Sequence, residues 1–178
     1  MNGTFTGVTG TTFTTSSLND GDQVYAIAVQ GSCTSLPSNT ITVDVDPSPV
    51  VVISADRTTV CAGELITFNA VTYNAGAFPT FQWQVNSGSG WTNIPGATGS
   101  TYTSSTLNNG DVIRCLVTPS GTGCVGTFAS NPITITVNPI PTVTITASAT
   151  AICEGQTVTF TATPTNAGPT PTLSLIHI

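Results

Sequence analysis

Lysine is absent from this 178-residue sequence, arginine occurs only as Arg57 and Arg114, and the single histidine is His177. So little positive charge argues against a nucleic-acid partner, because phosphate binding depends on clustered Lys and Arg that displace counterions. The same deficit argues against an anionic membrane surface. No apolar run approaches the about 20 residues of a transmembrane helix, so membrane insertion is not expected. The opening MNGTFTGVTG also has neither the basic start nor the apolar stretch of a signal peptide.

Catalytic groupings are equally scarce. A Ser or Cys triad needs an imidazole or an equivalent base, and none stands outside the last two residues. Cysteines two to four residues apart, as structural zinc requires, do not occur. Eight acids give a net charge of −6, and those of the central region, Asp56, Glu64 and Asp111, read as solvated turn residues. The sequence therefore predicts no enzyme and no cofactor.

Threonine is what the sequence has in abundance, 36 residues of it, which suits exposed strand faces. The strongest internal signal is a repeat. PSPVVVISADRTTVCAGELITFNA from Pro47 lies over PIPTVTITASATAICEGQTVTFTA from Pro139 at an offset of 92, with no gap. Upstream, GTTFTTSSLNDGD ending at Asp22 lies over GSTYTSSTLNNGD ending at Asp111 at an offset of 89. SNTITVDVDP over SNPITITVNP restores 92. The boundaries then fall at the proline-rich junctions: 1–47 is the back half of one copy, 48–140 a complete copy, and 141–172 the front of a third.

Within the complete copy, short alternating runs separated by turn residues recur every 8 to 12 positions, the pattern of an all-β sandwich. Strands are predicted over 50–55 and 65–70, with Ile66, Phe68 and Ala70 pointing inward. Another covers FQWQV, with Phe81, Trp83 and Val85 on one face. Trp83 then stands where immunoglobulin-like sandwiches bury a Trp. Further strands centre on Tyr102, run from Val112 with Ile113, Cys115 and Val117 inward, and close the sheet over 132–138. Leu107 precedes the Asn108-Asn109-Gly110 turn. The predicted core is Phe68, Phe81, Trp83, Tyr102, Leu107 and Cys115. The fold class is thus an immunoglobulin-like β-sandwich repeat, one complete copy flanked by two partial ones.

CAGELITF, FQWQVNSGSGWTNIPGATGSTYTSSTLNNGD and SNPITITVNP resemble the tandem Ig-like repeats of very large surface proteins and adhesins of gliding bacteria that export through the type IX system. The resemblance spans residues 1–172. It implies an extracellular or cell-surface location for the parent protein, a stalk or adhesive role, neighbouring repeats as packing partners, and a glycan or protein as surface ligand. The likeness stops after Thr172, where LSLIHI replaces an aromatic-Gln-Trp strand. Those residues match one reading frame of CTGTCTCTTATACACATC, a sequencing-library transposon end, so 173–178 read as a non-native tail. Met1 falls inside a repeat and reads as an internal start.

Three finer expectations concern sites. Asp20, Asp22, Asp44 and Asp46 are candidate calcium ligands at a domain junction, set against a solvated acidic linker, since the next copy has Asn109, Asp111, Thr136 and Asn138 there. Trp91, with Tyr73 and Phe78, offers an exposed aromatic for sugar stacking, the alternative function of a carbohydrate-binding module, against a role as packing anchor. Among five cysteines, Cys115 occupies the position that pairs across antibody-type sandwiches, but Ala70 fills its partner position, which leaves a buried thiol. Cys61 with Cys124 is the remaining candidate disulfide. Strand order sets them at opposite ends, so either the segment near Cys61 folds differently or the bond links neighbouring copies.

Overall fold

The computed structural model describes residues 9–176, and among these the chain is all-β, with no helix. Strands β1 (Gln23–Val24), β2 (Val29–Gln30), β3 (Cys33–Thr34) and β4 (Ile41–Thr42) come first. The central block contains β5 (Val50–Ala55), β6 (Thr59–Cys61), β7 (Ile66–Tyr73), β8 (Thr80–Asn86), β9 (Thr92–Asn93), β10 (Thr101–Ser104) and β11 (Val112–Thr118). It ends with β12 (Phe128–Ala129), β13 (Ile133–Thr134) and β14 (Thr136–Asn138), and β15 (Thr142–Ala147) and β16 (Phe160–Thr165) follow.

Two sheets face each other in the central block. One has the order β10-β7-β5; the other runs β12-β11-β8-β9, with β13 also on β11. Period-two alternation creates the space between them. Along β11, Ile113, Cys115 and Val117 are buried while Val112, Arg114 and Leu116 face outward. Phe68 from one sheet meets Trp83 from the other with ring centroids 6.0 Å apart, and Tyr102 closes the triangle at 5.7 and 5.8 Å. Phe81, Tyr102 and Leu107 are only partly buried and pack around this centre. Apart from Pro49, every buried apolar side chain among the described residues lies between Val51 and Ile135.

The predicted strand over 132–138 is broken in two. Leu116 faces Ala129 and Ile113 faces Ile133, so three steps along β11 match four along its partner. One extra residue is accommodated at Ser130–Pro132, a β-bulge. Proline fits there because it has no N–H to leave unpaired. Ser130 Oγ accepts from Cys115 N at 2.9 Å and donates to the Asn131 carbonyl. The Asn131 amide turns to the other sheet, accepting from Ile53 N at 2.9 Å and donating to Ile53 O at 3.2 Å. A side chain thus does for β5 what a neighbouring strand does elsewhere. Beyond the bulge β13 stays on β11, and after Ile135 the chain leaves it, so that β14 runs parallel to β6 with Val137 opposite Val60.

The flanking segments reproduce these local bonds at the repeat offsets. Ala26 N donates to Ser38 Oγ at 2.9 Å, as Cys115 N does to Ser130. Cys153 N donates to Gln156 Oε1 at 2.9 Å, as Cys61 N does to Glu64. Strands β15 and β16 pair from Thr142↔Thr165 to Ala147↔Phe160, the counterparts of Val50↔Tyr73 to Ala55↔Phe68.

The loop after β7 turns through Asn74 (φ 56°) and Gly76 (φ 76°), and Asn166 and Gly168 take φ 58° and 74° in the same register. At Gly76 a Cβ would lie 1.6 Å from the Ser120 carbonyl oxygen, so glycine is required by contact as well as by φ. Gly76→Ala should cost roughly 3 kcal/mol, from left-handed strain and displacement of the facing loop. Chemical denaturation with Trp83 fluorescence measures it; a cost below about 1 kcal/mol would contradict the contact.

Candidate functional site

The most elaborate non-core cluster surrounds the linker that leads into the central block. There the loop between β7 and β8 meets the 119–127 loop, because β7, β8 and β11 all bring their ends to the same side. Ser120 N donates to Ala75 O at 3.0 Å, and Phe78 N donates to Ser120 Oγ at 3.0 Å. Asn74 Nδ2 reaches Ser48 O at 3.4 Å. The 119–127 loop then folds over the linker. Gly123 N donates to the Asp46 carboxylate, and the Cys124 thiol lies 3.7 Å from the carbonyl oxygens of both Asp46 and Pro47. This junction is held mainly by directional bonds, since few apolar groups are present to hold it.

The four junction aspartates do not converge into one ion site. Asp22 accepts from Asn19 N at 2.7 Å, Asp20 from Val45 N at 3.2 Å, and Asp46 from Gly123 N. Three of the four carboxylates are thus tied to different backbone amides. Among the described residues no three His, Cys, Asp or Glu side chains are grouped as an ion would need. The calcium candidate is corrected accordingly: Asp44 meets the side chain of Asp20, which also holds Val45 N. A hydrogen bond from the Asp20 side chain, and then the charges of Asp20 and Asp46, raise the Asp44 carboxyl above its ordinary value.

Of the central-block acids, Asp56 and Glu64 are exposed beside turns as expected, whereas Asp111 is not. Asp111 is buried, accepting from Ser87 Oγ at 2.6 Å and from Asn108 N at 2.8 Å. Asp56 accepts from Thr67 N and Glu64 from Cys61 N. At the 92-residue offset, Ser148 Oγ and Gln156 Oε1 take those same amides without charge. Asp56 and Glu64 thus serve as backbone acceptors, a role that a neutral oxygen fills at the repeat offset.

Trp91 is half-buried on the outer face of β8, β9 and β11. The Arg114 guanidinium sits 4.1 Å above its ring, a cation–π contact. Arg114 Nε donates to Gln84 Oε1 at 2.8 Å, and Gln84 Nε2 donates to Asn93 Oδ1 at 2.7 Å. The ring face under Arg114 is closed to a sugar. Tyr73 and Phe78, 59% and 83% exposed, lie at the loop after β7 and do not join Trp91 in a platform.

A family model described as a domain of unknown function (DUF8696) matches residues 51–139, half of the chain. The chain belongs to this family. No curated protein matches it. The match begins and ends within the central block, so the DUF8696 unit contains the bulge, the aromatic triangle and the parallel β6–β14 pair.

All five cysteines are free thiols, and the DUF8696 unit holds three of them. Cys61 and Cys124 do not meet, which removes the candidate intradomain disulfide. Cys61 faces Asn138 at the outgoing end, whereas Cys124 covers the incoming linker. The seven residues of β11 lie between those ends, about 20 Å at ~3.3 Å per residue. Cys115 is fully buried opposite Trp83, and its thiol points to the Leu116 carbonyl. Burial pushes that thiol up to about 11, against a smaller lowering by the backbone of Gln82. The His177 assignment lies outside the described residues.

In the native protein, iodoacetamide should label Cys33, Cys61 and Cys153 within the time that Cys115 stays unlabelled. Cys115 should react only after unfolding, and intact-mass spectrometry counts the labels; rapid native labelling of Cys115 would contradict its burial. Asp44 should titrate above its ordinary value in carbon-detected NMR, and Asp20→Asn should bring it down. Because the folded value is raised, its contribution favours the junction at low pH and is lost as pH rises through that value.

Proposed function

We propose that the chain is a non-catalytic segment of tandem immunoglobulin-like repeats, acting as a stalk or adhesive spacer in an extracellular bacterial surface protein. The observation that carries this reading is the parallel pairing of β6 with β14. These strands lie near the two ends of the DUF8696 unit, and force applied to those ends pulls them past one another. Thr136 N donates to Thr58 O and Ala62 N to Asn138 O, both at 2.8 Å, at either end of that ladder. Load along the strands stresses these bonds together, in shear, whereas an unzipping geometry would break them singly.

Further support comes from the clamped linker, which limits bending between copies, and from carboxylates used as backbone acceptors. The bonds repeated at offsets of 89 and 92 favour an array over a single domain with tails. A Thr-rich surface with 6% charged residues gives solubility through neutral hydrogen-bonding groups.

Single-molecule pulling on the full chain should give one dominant event, with a length gain of about 300 Å for the central block at ~3.5 Å per residue. Thr136→Pro removes one of the ladder donors, at a cost of at least about 1 kcal/mol. It should lower the unfolding force clearly. An unchanged force alongside a lowered thermal midpoint would mean that the ladder carries no load, and the spacer reading would lose its basis.

A further inference from the structure

Two cysteine positions share one neighbour. At the outgoing end of the central block, Cys61 is the register partner of Asn138 in the parallel pair of β6 and β14. At the incoming end, the thiol of Cys124 lies 3.7 Å from the carbonyl oxygen of Asp46. Asp46 and Asn138 are the same repeat position, 92 residues apart, each followed by the proline that opens a linker. In an array, the Cys61-type cysteine of one copy and the Cys124-type cysteine of the next therefore flank a single residue.

We propose that successive copies are joined there by a disulfide. The inference rests on the tandem-array reading above. Cys61 stands roughly 5 Å from the shared residue across the parallel pair. A disulfide needs the two cysteine Cα atoms about 4.4 to 6.8 Å apart, so the bridge requires the next copy's loop to seat on the β6 side of that residue. Cys61 is exposed and follows the buried Val60, so its side chain leaves the core on the outer side of β6. Cys124 belongs to the loop already folded over the linker.

The partial copies keep these cysteines too. Cys153 repeats Cys61, with its amide held by Gln156, and Cys33 lies in the connection that corresponds to 119–127. By contrast Cys115, buried in the core, has Ala26 as its counterpart. The cysteines retained in the partial copies are the ones at domain ends.

Closure requires an oxidant, and a small-molecule disulfide such as oxidised glutathione suffices. One protein thiolate attacks a glutathione sulfur and releases one reduced glutathione. The second thiolate then displaces the other from the mixed disulfide, giving one protein S–S bond, two reduced glutathiones and no net loss of electrons.

The test extends the full chain by one unit, so that it runs 1–139 and then continues 48–178. After oxidation by glutathione disulfide, proteolysis should yield a peptide joining Cys61 of the first unit to the added unit's counterpart of Cys124. The mass falls by two hydrogens, and Cys61→Ser in the first unit abolishes the link. Near-UV circular dichroism from Trp83 should double, reporting that the added unit folds. Doubling without the link overturns the bridge alone; no doubling overturns the array reading and the bridge with it. In the unextended chain, Asp46→Cys should close with Cys124 under the same oxidant. Failure of that closure overturns the placement on which the bridge depends.

Discussion

An indole with no surface in water still carries an N–H that needs an acceptor, and Trp83 satisfies it at Gly99 O, 2.9 Å away. Much of the central block follows from that constraint. The ring can be this deep only if a second sheet covers it, which Phe68 and Tyr102 do from β7 and β10. Its acceptor can be in place only if the chain between β9 and β10 returns across the sheet. Trp83 N donates to Ala97 O and Ile94 N donates to Trp83 O, so the backbone of the same residue holds that return in place. Removing the indole would leave a cavity and an unpaired carbonyl together, a cost of about 3 to 5 kcal/mol.

Outside the core, the structure is held by short polar side chains that stand in for missing strand neighbours. Asn131 bonds both backbone groups of Ile53, Ser130 takes the amide of Cys115, and Asp111 takes that of Asn108. A lone hydroxyl or amide oxygen suffices for such a role, which accounts for a sequence rich in Thr, Ser and Asn yet poor in charge. It also explains why Asp56 and Glu64 can become Ser148 and Gln156 at the repeat offset. What must be kept is an acceptor at a fixed place.

The long strands were legible because each has an alternation that survives on its own: 50–55, Phe81 to Val85, and Ile113, Cys115, Val117. The core residues Phe68, Trp83 and Cys115 followed from it. Where the structure departs, a tertiary contact overrides local pattern. The strand expected over 132–138 reads as one run because TITV alternates, but it pairs with β11 only through Ile135 and passes to β6 from Thr136. Asp111 looked like a solvated turn acid since nothing local announces Ser87 as its donor. Gly76 was recoverable: Asn74-Ala75-Gly76 recurs as Asn166-Ala167-Gly168, and repetition of a glycine after Asn is the signature of a left-handed turn. Arg114 over Trp91 could not be read, because the pair joins β11 to the approach of β9.

Length variation between the copies shows which parts of the unit are constrained. From Pro47 to Ala70 the match to the following copy has no gap, and this stretch contains β5, β6 and the turn at Cys61. The change of offset from 89 to 92 falls within the connection of β11 to β12. In the first segment that connection closes as a tight hairpin, with Gln30 opposite Cys33, whereas in the central block it opens into the 119–127 loop. A loop tolerates three added residues at little entropic cost, while one residue inserted in β6 would turn Val60 out of the core. The variable connection is thus the one that meets the preceding linker, and the gap-free stretch carries β6, which enters the parallel pair at the opposite end.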